Sequence, residues 1–287
     1  MKAIALGNFD GVHIAHKAVL QNAARFEESV CLLFRQHPAE ALEGKPFSRI
    51  LTPAQTQKKI LQSGIGCCEY LDFEAHKDDP PEQFFEETLC RRYRAEVLCC
   101  GYNYSFGQRR QGNVALLRQL CESSGIELIV AEPIRYGGAP ISSTRIKQCL
   151  GSGAVEQANA MLGYPFFYEG EIVKGKRLGR KLGFPTLNQW FGEGQVKPRA
   201  GVYAVRVTIG AQVYRGVSNI GANPTIGSDS FRSETHVFDF DKEVYGQSAR
   251  IELLRFIRPE KTFESIDALQ QQVLEDIERA KENVGTS

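Results

Sequence analysis

Two stretches of the 287-residue chain combine residue types suited to chemistry on phosphate groups. The first is Gly7-Asn8-Phe9-Asp10-Gly11-Val12-His13-Ile14-Ala15-His16. Glycines let backbone approach a phosphate, and a helix starting behind them supplies free N–H groups and the positive end of its dipole. His13 and His16 are three apart, so they share a face of the first helical turn. Two imidazoles there can donate hydrogen bonds to a phosphoryl group. That suits nucleotidyl transfer, in which charge builds on the α-phosphate and on the leaving pyrophosphate. Much later, Ser142-Ser143-Thr144-Arg145 puts hydroxyls and a guanidinium at another helix start, a second pattern that binds anions. Each motif alone reads more readily as ordinary structure: a Gly-rich turn with two surface histidines, and an N-cap with a solvated Arg.

The second stretch is Gly170-x4-Gly175-x3-Gly179-Arg180-x2-Gly183-Phe184-Pro185-Thr186-x-Asn188. Its glycines clear space for phosphates, and Thr186 and Asn188 alternate so that both side chains face one way. Neutral Thr and Asn oxygens suit Mg2+, which keeps waters and takes substrate phosphates as ligands. Downstream, Glu234 and His236 share a face of the strand-like Ser233–Phe240 run. A carboxylate there could take the proton of a hydroxyl attacking a γ-phosphate. The plain alternatives are a strand–turn–strand with an edge proline, and a solvated glutamate at a strand end.

These residues need elements to position them. Residues 1–165 alternate short apolar runs (Lys2–Leu6, Val30–Phe34, Cys67–Phe73, Glu96–Cys100, Ile126–Ala131) with helical stretches, among them Pro81–Tyr93 with Phe84, Phe85, Thr88 and Leu89 on one face. That pattern predicts an α/β domain with a parallel sheet and crossover helices, its ligands at the carboxyl ends of the strands. Residues 166–287 predict an antiparallel sheet or small barrel: Gly201–Ile209, Val213–Ile220, Thr235–Phe240 and Ala249–Ile257 read as strands. A terminal helix is expected over Ser265–Lys281, with Ile266, Leu269, Val273, Ile277 and Ala280 facing inward.

Composition bounds the rest. A net charge of +1 argues against bulk nucleic-acid binding, and 17 Phe with 10 Tyr exclude a disordered chain. No apolar run is long enough for a membrane span and no leader pattern is visible, so a cytoplasmic protein is expected. The eight cysteines form no C-x-x-C pair and read as small, buried, reduced thiols on strands and helices rather than metal ligands. Nothing in the sequence sets an oligomeric state.

Taken together, H-x-x-H early and S-S-T-R late resemble the nucleotidyltransferase superfamily. Phe34-Arg35-Gln36-His37-Pro38 and Gly101-Tyr102-Asn103-Tyr104-Ser105-Phe106-Gly107, with Arg110 and Gly112, narrow this to the FAD synthetase module of bacterial bifunctional riboflavin kinase/FAD synthetases. The second half resembles riboflavin kinase through its G-R-x-L-G-F-P-T-x-N, G-V-x-N-I-G-x-x-P-T and E-x-H-x-F-D-F blocks, all in order. The resemblance implies a Rossmann-like adenylyltransferase domain over 1–165 and a β-barrel kinase domain over 166–287. Riboflavin would be phosphorylated by ATP to FMN, and FMN adenylylated to FAD, with Mg2+ at work. It further implies that His13 and His16 are catalytic. Gly7, Asn8, Phe9, Asp10, Gly11, Asn103, Arg110, Ser142, Ser143, Thr144 and Arg145 would bind nucleotide in the first domain. In the second, Gly175, Arg180, Gly183, Thr186 and Asn188 would bind nucleotide, with Thr186 and Asn188 also holding the metal. Glu234 would be the base for the ribityl 5′-hydroxyl, and Asn219, Gly221 and Arg258 would lie beside flavin. Two departures leave alternatives open. Ala15 stands where the family usually has Gly, and Ser105 where it tends to have Arg. A kinase with an impaired first domain, or a silent flavin- or nucleotide-binding module, are the other readings.

Overall fold

A computed structural model describes residues 1–44, 47–175, 179, 183–192, 194–222 and 231–282. The chain divides into two compact units, Met1–Ser143 and Thr144–Ser287. The boundary expected from the sequence lies at 165. The two helices between these points, Ser143–Ser152 and Val155–Leu162, pack within the second unit. Asn159 Nδ2 donates to the carbonyl of Leu253 at 2.8 Å, and Arg199 N–H donates to the carbonyl of Leu150 at 2.9 Å.

In the first unit, β1 (Lys2–Leu6), β2 (Glu28–Phe34), β3 (Cys67–Leu71), β4 (Val97–Gly101) and β5 (Glu127–Ala131) form an all-parallel sheet in the order β3-β2-β1-β4-β5. β1 and β4 are apolar runs buried on both faces, as a parallel sheet covered by helices requires. The strand order reverses between β1 and β4. A crevice therefore opens at their carboxyl ends, the usual ligand position in such sheets. Ile4, Leu6, Leu98 and Cys100 pack against Phe84, Phe85, Leu89, Leu117 and Cys121. The helix expected over Pro81–Tyr93 buries the expected face but is α-helical only over Pro81–Gln83. Phe84–Arg92 is π-helix, continued by Tyr93 N–H donating to Thr88 carbonyl at 3.0 Å. An i→i+5 ladder is invisible to side-chain periodicity.

In the second unit, β6 (Phe167–Glu171), β7 (Leu187–Trp190), β8 (Gly201–Ile209), β9 (Gln212–Ala222), β10 (Phe231–Val237) and β11 (Ser248–Pro259) form an antiparallel sheet in the order β6-β11-β8-β9-β10-β7. Its edges nearly close into a barrel. Val173 N–H donates to Asn188 carbonyl at 2.8 Å, and Gln189 Nε2 donates to Gly170 carbonyl at 2.6 Å. The strand expected over Thr235–Phe240 is β10. It starts earlier and stops at Val237, because Asp239 turns the chain with φ 54°. Tyr203, Val205 and Val207 fill the interior as their alternation predicts. Val202 and Ala204 on the outer face are buried too, under the terminal helix (Ile266–Glu282), which lays Ile277 and Ala280 on them. That helix overhangs the sheet at its start. Val273 packs partly, and Ile266, expected to face inward, is exposed.

Candidate active sites

In the first unit the loop Gly7–His13 leads from β1 into α1 (Ile14–Ala23). Phe9, Gly11 and Val12 hold left-handed backbone, with φ 50°, 81° and 38°. For a β-branched valine this is strained, and such strain persists only where the surroundings over-determine it. Here they do. Asp10 Oδ1 accepts the Ile50 N–H at 2.8 Å. A Cβ on Gly11 would stand 2.8 Å from Ile50 Cδ1. Phe9 is buried against Gly7 and meets the His16 ring edge-on at 5.3 Å. Ser143 Oγ donates to the Asp10 carbonyl at 2.8 Å and so joins the two anion-binding patterns, 133 residues apart.

His13 is buried and caps α1, its Nδ1 accepting the His16 N–H at 3.3 Å. That bond assigns the ring proton to Nε2, leaving Nε2–H as the donor. The His13 and His16 rings stack with centroids 3.5 Å apart. Burial pushes His13 down to about 4. Burial, and then the charge of His13, push His16 well below the usual histidine range. Both rings are therefore neutral near pH 7. Among the described residues no protein group partners the buried Nδ1 of His16. Beyond β4, Asn103 and Arg110 are exposed. Arg109 and Arg110 both take positive φ, and Arg110 Nε donates to Ser105 Oγ at 2.9 Å.

In the second unit the candidate site residues form a row across three strands. Asn188 on β7 pairs in register with Glu234 on β10, and Glu234 with Asn219 on β9. Directly opposed residues share a face, so all three side chains stand together on the outer side of the barrel, where the terminal helix also packs. The next row along is Trp190, Arg232 and Gly221. Gly175 lies against the first row, and Gly179 against Phe184 and Thr186. A Cβ on Gly175 would stand 2.5 Å from Asn188 Nδ2, and one on Gly179 would be 3.4 Å from Thr186 Cγ2. His236 Nδ1 donates to the Pro185 carbonyl at 3.0 Å, and Phe184 meets the His236 ring edge-on. The Pro185–Thr186 segment is thereby tied to β10. Asn188 Nδ2 reaches the Thr186 carbonyl at 3.4 Å.

Both halves match known families. An FAD synthetase family profile matches residues 1–145, and a riboflavin kinase profile matches residues 162–284. The bifunctional riboflavin kinase/FMN adenylyltransferase of Haemophilus influenzae is 32% identical, over 97% of this chain and 93% of its own length. The chain belongs to the bifunctional riboflavin kinase/FMN adenylyltransferase family. The Escherichia coli K12 enzyme of that name is likewise 32% identical, over 98% and 92%. A crystal structure described as a macrolide-efflux protein from Streptococcus pneumoniae superposes with a TM-score of 0.88 at 31% identity, over 98% of this chain and 94% of that one. In this family member no described helix is long and apolar enough to cross a membrane.

The expected site residues fall into groups. His13, His16, Gly7 and Ser143 converge on the end of β1, and Gly175, Thr186, Asn188, Glu234 and Asn219 on the outer barrel face. Ser142 precedes the helix that Ser143, Thr144 and Arg145 begin, and Asn8 is exposed on its loop. Phe9 and Asp10 are turned into the loop's own packing and shape it rather than face outward. The carboxylate of Glu260 takes the space above Gly221. Gly183 has φ 85° with open space around it. Arg258 donates twice from Nε to Asp276, at 2.9 and 3.0 Å. Its Nη2 donates to Asp276 at 2.7 Å and its Nη1 to the Pro259 carbonyl at 3.0 Å. With its guanidinium engaged this way it pins the terminal helix to β11. Arg180 lies outside the described residues. The sequence reading passed over Ile50 and Arg232. Nothing local marks Ile50, whereas Arg232 lies two positions before Glu234 on an alternating strand and was legible by that period.

Proposed function

We propose that the second unit transfers the γ-phosphoryl group of ATP to riboflavin, giving FMN, and that the first unit transfers AMP from a second ATP to FMN, giving FAD and pyrophosphate. The kinase chemistry lies within residues 166–287 and the adenylyl chemistry within 1–165, in a cytoplasmic setting that eight free cysteines suit. Against the expectation that all are buried, only Cys31, Cys99, Cys100 and Cys121 are, and Cys67, on the short strand β3, is exposed. The observation that carries the reading is the row Asn188–Glu234–Asn219 with Gly175 against Asn188. Glu234 takes the proton of the ribityl 5′-hydroxyl as that oxygen bonds to the γ-phosphorus. The bond from phosphorus to the ADP oxygen breaks, and ADP leaves. The Gly175 cradle, which a Cβ would fill against the Asn188 amide, leaves the breadth a phosphate chain needs.

Mg2+ fits the same place. Asn188 uses its nitrogen toward Thr186, which leaves the amide oxygen and the Thr186 hydroxyl as neutral donors. No group of three His, Cys, Asp or Glu able to hold a metal occurs among the described residues, so the substrate phosphates would supply the anionic ligands. When bound, the ion would neutralise phosphate charge.

In the first unit a phosphate oxygen of FMN attacks the α-phosphorus as the bond to pyrophosphate breaks. No proton need move. Neutral His13 offers Nε2–H, His16 its imidazole, and the start of α1 its free N–H groups to the charge that develops. Ser142, Ser143, Thr144 and Arg145 offer further donors, as do Asn103 and Arg110, and Ser105 steadies Arg110. Neither step requires a covalent enzyme intermediate. The test is chromatography of flavins after incubation with riboflavin, ATP and Mg2+. FAD is the expected product. FMN that accumulates without FAD, even when FMN is supplied directly, would refute the adenylyl half.

A further inference from the structure

We infer that Arg232 is a positioning residue for the kinase step: it clamps one carboxylate oxygen of Glu234 and leaves the other for the acceptor hydroxyl. This rests on the reading of Glu234 as the base. Arg232 and Glu234 are two apart on β10 and share its outer face. Arg232 Nη2 forms an ion pair with Glu234 Oε1. The groups directly beside Glu234 on the flanking strands are the neutral amides Asn188 and Asn219. Among the described residues Arg232 is thus the one cation in an ion pair with it. Its own lateral neighbours are Trp190 and Gly221, and the Glu260 carboxylate closes over Gly221. The acidic partner of the guanidinium on this face is Glu234 itself.

A glutamate carboxylate swings about three side-chain torsions, and a general base acts only within hydrogen-bond reach of the proton it takes. A guanidinium on the same strand face removes that freedom while engaging one oxygen. Asn188 and Asn219 cannot substitute for it, since neither carries charge.

The experiment measures FMN formation by R232Q, R232K and E234Q in the full chain, with kcat and KM for ATP and riboflavin, circular dichroism of each variant, and FAD formation from supplied FMN. R232Q is expected to lower the kinase kcat about tenfold or more with KM for ATP within about twofold. R232K should recover part of that loss, and FAD formation should be unchanged. A purely structural role would show as altered dichroism and would not give a kcat loss that a lysine restores. An R232Q kcat equal to wild type, beside an inactive E234Q, overturns the role of Arg232 and leaves the base standing. A change confined to KM also overturns it. An E234Q enzyme that still makes FMN overturns the base itself. If R232Q is misfolded, the decision passes to R232K, whose kcat must then fall below wild type at unchanged KM.

Discussion

The two units position their proposed reactive groups by different means. In the parallel-sheet unit they sit past the ends of the strands, on a loop that holds Phe9, Gly11 and Val12 in left-handed backbone and is fastened by Ile50 and Ser143. In the barrel they stand on the strands themselves, and the pairing of β7, β10 and β9 aligns Asn188, Glu234 and Asn219. A parallel sheet covered on both faces has no exposed strand face to spare, so chemistry moves to the loops and backbone strain is the cost. An antiparallel sheet keeps a face that register alone can arrange. The first site should therefore be sensitive to loop anchors far away in sequence, and the second to side chains in the row and to whatever crowds it.

The sharpest way to break the comparison is E234Q. FMN formation should fall by about 10³-fold while FAD formation from supplied FMN persists, as read by flavin chromatography. H16A should do the reverse, with FAD formation down by about 10²-fold and the kinase spared. If either substitution silences both steps, the two sites are not separate.

Acid titration tests the buried histidine. The His13 pKa is depressed from 6.5 to about 4 by burial, so below 6.5 the unfolded chain takes up a proton that the folded chain refuses. The contribution of His13 to stability is thus lost as pH falls from 6.5 toward 4, by on the order of 3 kcal/mol, and is fully gone below. Denaturant unfolding of H13Q should show a shallower loss across that window, and an identical slope would contradict the assignment. A smaller effect is expected from G175A, whose Cβ would meet the Asn188 amide at 2.5 Å. Kinase kcat/KM for ATP should drop about tenfold without change in FAD formation. Least of all, S143A removes the bond to the Asp10 carbonyl. It should cost about 1 kcal/mol of unfolding stability and a few-fold in FAD formation.

Most of the architecture was legible because its signals are local. Near-continuous apolar runs announced β1 to β5, and alternation announced β8 to its last residue. The Pro81–Tyr93 face was found by 3.6-residue spacing even though the backbone there is a π-helix, since Phe84, Phe85, Thr88 and Leu89 still cluster when the turn widens. What was not legible depends on distant pieces. The short edge strands β6 and β7 carry no clear period, and bridges at Val173 and Gln189 tie them together. The candidate site residues stand out by type, but their surroundings do not. That Asp10 serves Ile50, that Arg258 serves Asp276, and that Gly221 lies beneath Glu260 are tertiary facts with no trace in spacing. The neutrality of His13 and His16 likewise follows from burial, which an H-x-x-H string does not reveal.

Trp190 is the single tryptophan of the chain. It is exposed on β7, in the row next to Glu234. All indole emission of this protein therefore originates on the barrel, and the parallel-sheet unit contributes none. Oxidised flavins absorb where indole emits, so this residue is a built-in donor for energy transfer. Titration with riboflavin can be followed optically with no label attached.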